Sequence, residues 1–222
     1  SAADVAKLRK VTGAGMMDCK NALEEANGDF DRAITIIREK GKAIANKRAD
    51  RDATEGVVLS KTTSDQKFGA MIVLNCETDF VAKNEGFVNF ATEILNIAIE
   101  KRPASREALL ALPMKGKTVS DIIVENIGII GEKLDLPFYD FIQAEFVTPY
   151  IHPGNKVSSM VGFNMAGIDI QVGKDVAMQI AAMSPVSIDV ADVPKEVMDK
   201  EYEIGREQAR NEGKPEDMLD KI

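Results

Sequence analysis

The chain has 222 residues, 45% of them hydrophobic and 29% charged, the balance of a folded globular protein with room for one sizeable domain or two smaller ones. A formal charge of −8 opposes unspecific attachment to nucleic acid or anionic lipid, and no apolar stretch reaches bilayer-spanning length. The two cysteines, Cys19 and Cys76, lie far apart without a Cys-x-x-Cys arrangement, which excludes a disulfide framework or a four-ligand zinc site within one chain, and Ser1-Ala2-Ala3-Asp4 has no signal-peptide character; a reducing cytoplasm is the expected setting.

The first forty residues read as three short helices. Asp4 can cap the first, which carries Val5 and Leu8 and breaks at Thr12-Gly13-Ala14-Gly15. Met16, Cys19, Leu23 and Ala26 follow at helical spacing and stop at Asn27-Gly28, a left-handed signal. Asp29 can cap the third helix, with Phe30, Ala33, Ile34 and Ile37 on one face and Gly41 closing it. Residues 1–41 thus form a three-helix module, and 42–53, rich in Lys, Arg and Ala without an apolar face, a solvated helical linker. Both cysteines sit in apolar patterns and are expected to be buried; Met16 and Met17 read as core first and interface second.

Val57 to Thr62 and Phe68 to Cys76 read as a β-hairpin turning at Ser64-Asp65-Gln66. A helix then carries Phe87, Phe90, Ala91, Ile94 and Ala98, and a second, Val119 to about Ile130, carries Ile122, Ile123, Ile127 and Ile130, weakened near its end by Gly128. Strand-like text returns in Phe138 to Ala144, Phe146 to His152 and Val157 to Asn164, with a turn at His152-Pro153-Gly154-Asn155, before a helix from Asp175 to Met183. Phe68 to Asn75 matches Val157 to Asn164 at an offset of 89 (157 − 68), and the same offset carries Val57 to Thr62 onto Phe146 to Ile151. A duplicated strand–turn–strand–helix unit explains this, giving a first repeat over 54–137 and a second over 138–193. From Pro194 the text is charged and helical, the start of a helical hairpin over 194–222 whose return arm begins at Pro215. The fold class expected is α+β.

One stretch stands apart. Thr78-Asp79-Phe80-Val81 lies where an apolar strand gives way to a helix, and it sets a carboxylate beside a large aromatic. Such residues commonly cap a helix with the ring folded inward. At the repeat offset, however, they fall on Gly167-Ile168-Asp169-Ile170, which has no aromatic, so the fold alone does not demand the pair. The alternative is an outward wedge and charge that pry at another protein's polar site.

Leu8-Arg9, the run from Thr12 to Leu23, and Glu25-Ala26-Asn27-Gly28-Asp29 resemble the N-terminal signature of the elongation factor Ts family, and Cys76 to Ala82 resembles its second signature. The resemblance covers nearly the whole chain. It implies a ubiquitin-associated-like three-helix domain, a two-part α+β core, a coiled-coil excursion, and guanine nucleotide exchange on elongation factor Tu in bacterial or organellar translation. Asp79 and Phe80 match the pair that reaches toward the partner's magnesium and phosphate region; Lys20 and His152 match positions at or near the partner surface. Members of the family continue past the region matching Asp220-Lys221-Ile222 to finish the hairpin and add a strand and a helix, so the hairpin is expected to be incomplete. A homodimer or a two-to-two complex with the partner is compatible with this.

Read without the resemblance, Lys20 is an ordinary helix lysine and His152, the only histidine, a turn residue. Cys76, His152 and Asp79 are the ingredients of a thiol hydrolase, but no nucleophile elbow is present. No Gly-x-x-x-x-Gly-Lys-Ser/Thr loop exists either, so no bound cofactor or nucleotide is expected, and an exchange factor performs no covalent chemistry. An adaptor or scaffold using only the three-helix module would leave Asp79-Phe80 and the duplicated core idle.

Overall fold

A computed structural model describes residues 1–215. Apart from Pro215 itself, the expected return arm lies outside these residues. The chain divides into two units, residues 1–181 and residues from 182 on.

Three helices open the first unit: α1 (Ala2–Thr12), α2 (Met16–Glu25) and α3 (Phe30–Arg48). Ser1, not Asp4, is the cap of α1; Asp4 answers it by accepting from the chain's first residue, which completes a capping box. Gly13 ends α1 at φ 73°, and Asn27 and Gly28 follow α2 at φ 50° and 84°. Asp29 caps α3 by accepting the Arg32 amide at 3.0 Å. Leu8, Cys19, Ala22, Ala33 and Ile36 form the module's own core.

Gly41 does not close α3. The helix runs on to Arg48 because Gly41 is buried where α3 crosses α7 (Val119–Ile130) at Gly128. A Cβ on Gly128 would stand 2.5 Å from the Gly41 Cα, so that position admits no side chain at this crossing; a Cβ on Gly41 would stand 3.7 Å from the Gly128 Cα, an ordinary contact. Residues 42–48 are not a solvated linker either, since Ile44 and Ala45 pack on the main core. One helix therefore belongs both to the module and to the body of the protein.

The hairpin β1 (Glu55–Thr62) and β2 (Phe68–Cys76) pairs antiparallel, with Val57 opposite Leu74. Alternate residues Phe68, Ala70, Ile72, Leu74 and Cys76 are buried with Phe87, Phe90, Ala91, Ile94 and Ala98 of α5 (Glu85–Lys101). The one-turn α4 (Asp79–Ala82) stands between β2 and α5. Beyond α5 come α6 (Arg106–Ala111) and the strands β3 (Pro113–Met114) and β4 (Lys117–Thr118), too short for hydrophobic periodicity to reveal in the sequence.

β5 (Asp135–Gln143) pairs antiparallel with β2 and completes a three-stranded sheet of order β1-β2-β5. A boundary between 137 and 138 would cut this strand, which joins the first repeat's sheet rather than opening the second. The second hairpin, β6 (Phe146–Ile151) with β7 (Ser158–Phe163), lies against the other face of the first: a Cβ on Gly69 would collide with Met160 Sδ and would meet Val147 Cγ1 at 2.8 Å. Phe146 faces Phe163 across it, the pair that Val57 and Leu74 become when both are advanced by 89 (57 to 146, 74 to 163). The two hairpins thus share one register. Helix α8 (Ile170–Met183) starts at Ile170, five residues earlier than the sequence pattern indicated, because Asp169 supplies its cap: Asp169 Oδ1 accepts the Gln171 amide at 2.7 Å.

In the second unit α9 (Lys195–Asn211) follows Pro194 as expected, with Gly213 turning the chain at φ 76°. Among the described residues no helix is long and apolar enough to cross a membrane.

Candidate partner-docking site

The end of β2 and the single turn of α4 form a corner with two characters. Ala82 is buried and Val81 packs on the main core. Phe80, on the opposite side of the turn, is 82% exposed. A phenyl ring withheld from the core forgoes about 1.5–3 kcal/mol of burial, so its outward position reflects the backbone's direction rather than the ring's own preference. The inward-folded reading of Phe80 is thereby set aside.

Thr78 is the N-cap of α4, but its hydroxyl reaches the Val81 amide only at 3.4 Å. Four residues cannot hold themselves helical, because nucleating one turn costs more than its few hydrogen bonds return. Support comes from elsewhere. Glu132, just past the Gly131 cap of α7, accepts the Glu77 amide at 3.1 Å, the Thr78 amide at 3.0 Å and the Thr78 hydroxyl at 2.6 Å. Glu77 in turn accepts the Lys133 amide at 2.6 Å, Arg48 Nη1 at 2.7 Å and Arg51 Nη1 at 3.1 Å. Its side chain is 13% exposed. Burial pushes the Glu77 carboxyl up, but the Lys133 amide and the two guanidinium groups outweigh burial and hold it down at about 2.

Asp79 lies outward beside Phe80 and pairs with Lys83 Nζ at 2.6 Å, one helical turn on. That hydrogen bond, with the lysine's charge, holds the Asp79 carboxyl below the usual carboxylate range, and Lys156 adds a smaller field of the same sign. The corner therefore offers an ionised carboxylate and an open ring side by side.

Cys76 is no nucleophile. Its side chain is buried, Sγ donates to the Thr78 carbonyl at 3.2 Å, and burial, aided by the charge of Glu132, pushes the thiol up to about 11. A protonated, enclosed thiol removes the key ingredient of the hydrolase reading.

The other two candidates lie on other elements. Lys20 is on α2, paired with Glu24 at 3.8 Å, and lines a shallow apolar hollow with Val5, Met16, Met17 and Leu23. Met16 and Met17 are 60% and 63% exposed, so the pair serves as surface rather than core. His152 is exposed at the β6–β7 turn, where Nδ1 lies 2.9 Å from the Tyr150 hydroxyl. That turn is tied to β1 through the Val58 amide, which donates to the Asn155 carbonyl at 2.8 Å. Sequence reasoning missed Glu77, Glu132, Arg48 and Arg51. Only Glu77 lay inside a motif, and its partners come from segments 29 and 55 residues away. Among the described residues no group of three or more His, Cys, Asp and Glu side chains could hold a metal ion.

Comparison with known proteins agrees with the signatures. The family model for elongation factor Ts matches residues 77–222. The elongation factor Ts of Porphyromonas gingivalis is 52% identical over 220 residues, covering 99% of this chain and 79% of the relative. That of Amoebophilus asiaticus is 50% identical over 224 residues, covering 100% and 81%, and that of Azobacteroides pseudotrichonymphae 48% over 219 residues, covering 99% and 79%. With about half its residues shared over nearly its whole length, this chain belongs to the elongation factor Ts family and serves the elongation phase of protein synthesis.

Proposed function

We propose that the chain is a guanine nucleotide exchange factor that binds elongation factor Tu carrying GDP and speeds GDP release in the bacterial cytoplasm, without covalent chemistry of its own. The observation that carries this reading is Phe80, 82% exposed on a turn braced from beneath. Phe80 inserts between side chains of the partner and shifts the elements that hold its magnesium ion. Asp79, already ionised, competes for donors or crowds the water around that ion, so the phosphates are held less well. The partner cannot bind factor and nucleotide well together, and by linkage the antagonism is reciprocal.

Magnitudes decide how the work is divided. A thousandfold faster release requires about 4 kcal/mol of barrier reduction. Burying one phenyl ring contributes about 1.5–3 kcal/mol. The corner needs docking energy from elsewhere, and the hollow of Met16, Met17 and Lys20, together with the His152 turn, supplies surfaces for it. The exposed methionines favour docking over an internal role for that hollow, since flexible thioethers adapt to a partner's contour.

The test is release of a fluorescent GDP from purified elongation factor Tu, with and without this chain. Acceleration that rises and saturates with added chain is the expected result; release at the spontaneous rate at every concentration overturns the reading.

A further inference from the structure

The corner's direction is not set by the corner. Glu132 binds the two amides that lead into α4, while Glu77 binds the amide that follows Glu132, Arg48 at the end of α3 and Arg51 just beyond it. Each glutamate thus seizes the backbone next to the other, and the chain is clamped three residues before Phe80 and two residues before it. Thr78 cannot rotate without giving up its hydroxyl bond to Glu132 at 2.6 Å, and Phe80 is carried on the turn that Thr78 begins. The clamp also reaches back along α3. That helix is continuous from Phe30 to Arg48, so the three-helix module is linked to the corner through α3 and the Arg48–Glu77 ion pair of 2.7 Å.

Resting on the reading that Phe80 drives release, we propose that Glu132 is a positioning residue for nucleotide exchange: it aims Phe80 and Asp79 in advance, and Glu77 transmits the placement of α3 to the same corner. A free one-turn segment would have to be ordered during docking, and that cost would be drawn from the energy available to distort the partner. Glu132 removes the cost beforehand. Its effect falls on the release rate more than on docking affinity, because the docking surfaces proposed on α2 and the β6–β7 turn do not include it.

Glu132→Gln tests this. The glutamine keeps one acceptor oxygen but places an NH₂ group against the donors that the second oxygen served. The expected result has three parts, read with elongation factor Tu and fluorescent GDP. The maximal stimulated release rate falls about tenfold; the concentration of chain giving half of it stays within about threefold; and the Glu77 and Thr78 amides exchange hydrogen faster in the free chain. In a Phe80→Ala background the same substitution adds less than about twofold, since an absent ring cannot be misaimed. Equal losses in both backgrounds, or parental release by Glu132→Gln, overturn the proposal. Should Phe80→Ala itself release GDP at the parental rate, the reading of the corner falls and the positioning proposal with it. Slow release by Phe80→Ala with parental release by Glu132→Gln removes the positioning role alone. If Glu132→Gln fails to fold, Thr78→Val replaces it, keeping both amide bonds to Glu132 and losing the hydroxyl, with its short bond to Glu132 and its long cap contact to the Val81 amide; a decrease of about threefold, again absent without Phe80, is then expected, and an unchanged or background-independent rate is the contrary result.

Discussion

The two hairpins share a register and part company where each strand runs into its helix. In the second copy the chain turns at Gly167, Asp169 caps α8, and the helix proceeds without a break. In the first copy the residue at the equivalent position is Phe80 (169 − 89), capping has moved to Thr78, and the helix is interrupted after one turn, α4, before α5 begins at Glu85. Both solutions satisfy the amides at the start of a helix. Only the first leaves a ring and a carboxylate in solvent, and only the first needs outside support, from Glu132. The position that caps a helix in the second copy carries an exposed ring in the first.

Four experiments break or sharpen that comparison. The largest effect belongs to Phe80→Ala, expected to slow stimulated GDP release by about 10- to 100-fold, the equivalent of one buried ring, while docking affinity measured by calorimetry changes less than the rate does. Equal release by mutant and parent would reduce the corner to a variant helix start. Next comes acidity. The Glu77 carboxyl is depressed from 4.5 to about 2 on folding, so the stability it contributes is complete above about 4.5 and is lost as pH falls toward 2. The second copy has Ala166 at this position (77 + 89) and no such dependence. Glu77→Gln should cost about 1.5–3 kcal/mol at neutral pH, the worth of hydrogen bonds to a charged group. It should also flatten the decline in melting temperature between pH 4.5 and 2; an unaltered decline would assign the acid sensitivity to other carboxylates.

Smaller still is Asp169→Ala, which removes a cap and should lower stability by about 1 kcal/mol in a denaturant titration while release remains parental. A loss of exchange activity there would mean that both corners work on the partner. Last is Thr148, 2% exposed and with no hydrogen-bond partner for its hydroxyl among the described residues, where the first copy has Leu59 (148 − 89). Thr148→Val should be neutral or stabilising by up to about 1 kcal/mol, since it removes a polar group that burial penalises. Destabilisation would reveal a partner for that hydroxyl in solution.

Much of this protein was written in local patterns. Alternating apolar residues gave β1 and β2 their bounds within two residues, the spacing of Phe87 to Ala98 located α5, and Val119 to Ile130 was delimited as it is observed. These elements were legible because each buries one face, and burial of a face imposes a period on the sequence. The outward position of Phe80 was legible for a different reason: the repeat supplied an internal control at Asp169. What the pattern could not convey were relations between distant segments. A glycine at 41 ends a helix in local terms, yet here it lets α3 lie against Gly128, and the contact with α7 overrides the local weakness. β5 has the text of a strand, but whether it extends the first sheet or opens the second depends on which edge is free, and β2 offered one. The pairing of Glu77 with Arg48 and of Glu132 with Thr78 joins residues separated by 29 and 54 positions. Periodicity records what each residue buries; it does not record which other segment arrives to meet it, and that meeting is what brings Glu132 and Arg48 to the corner.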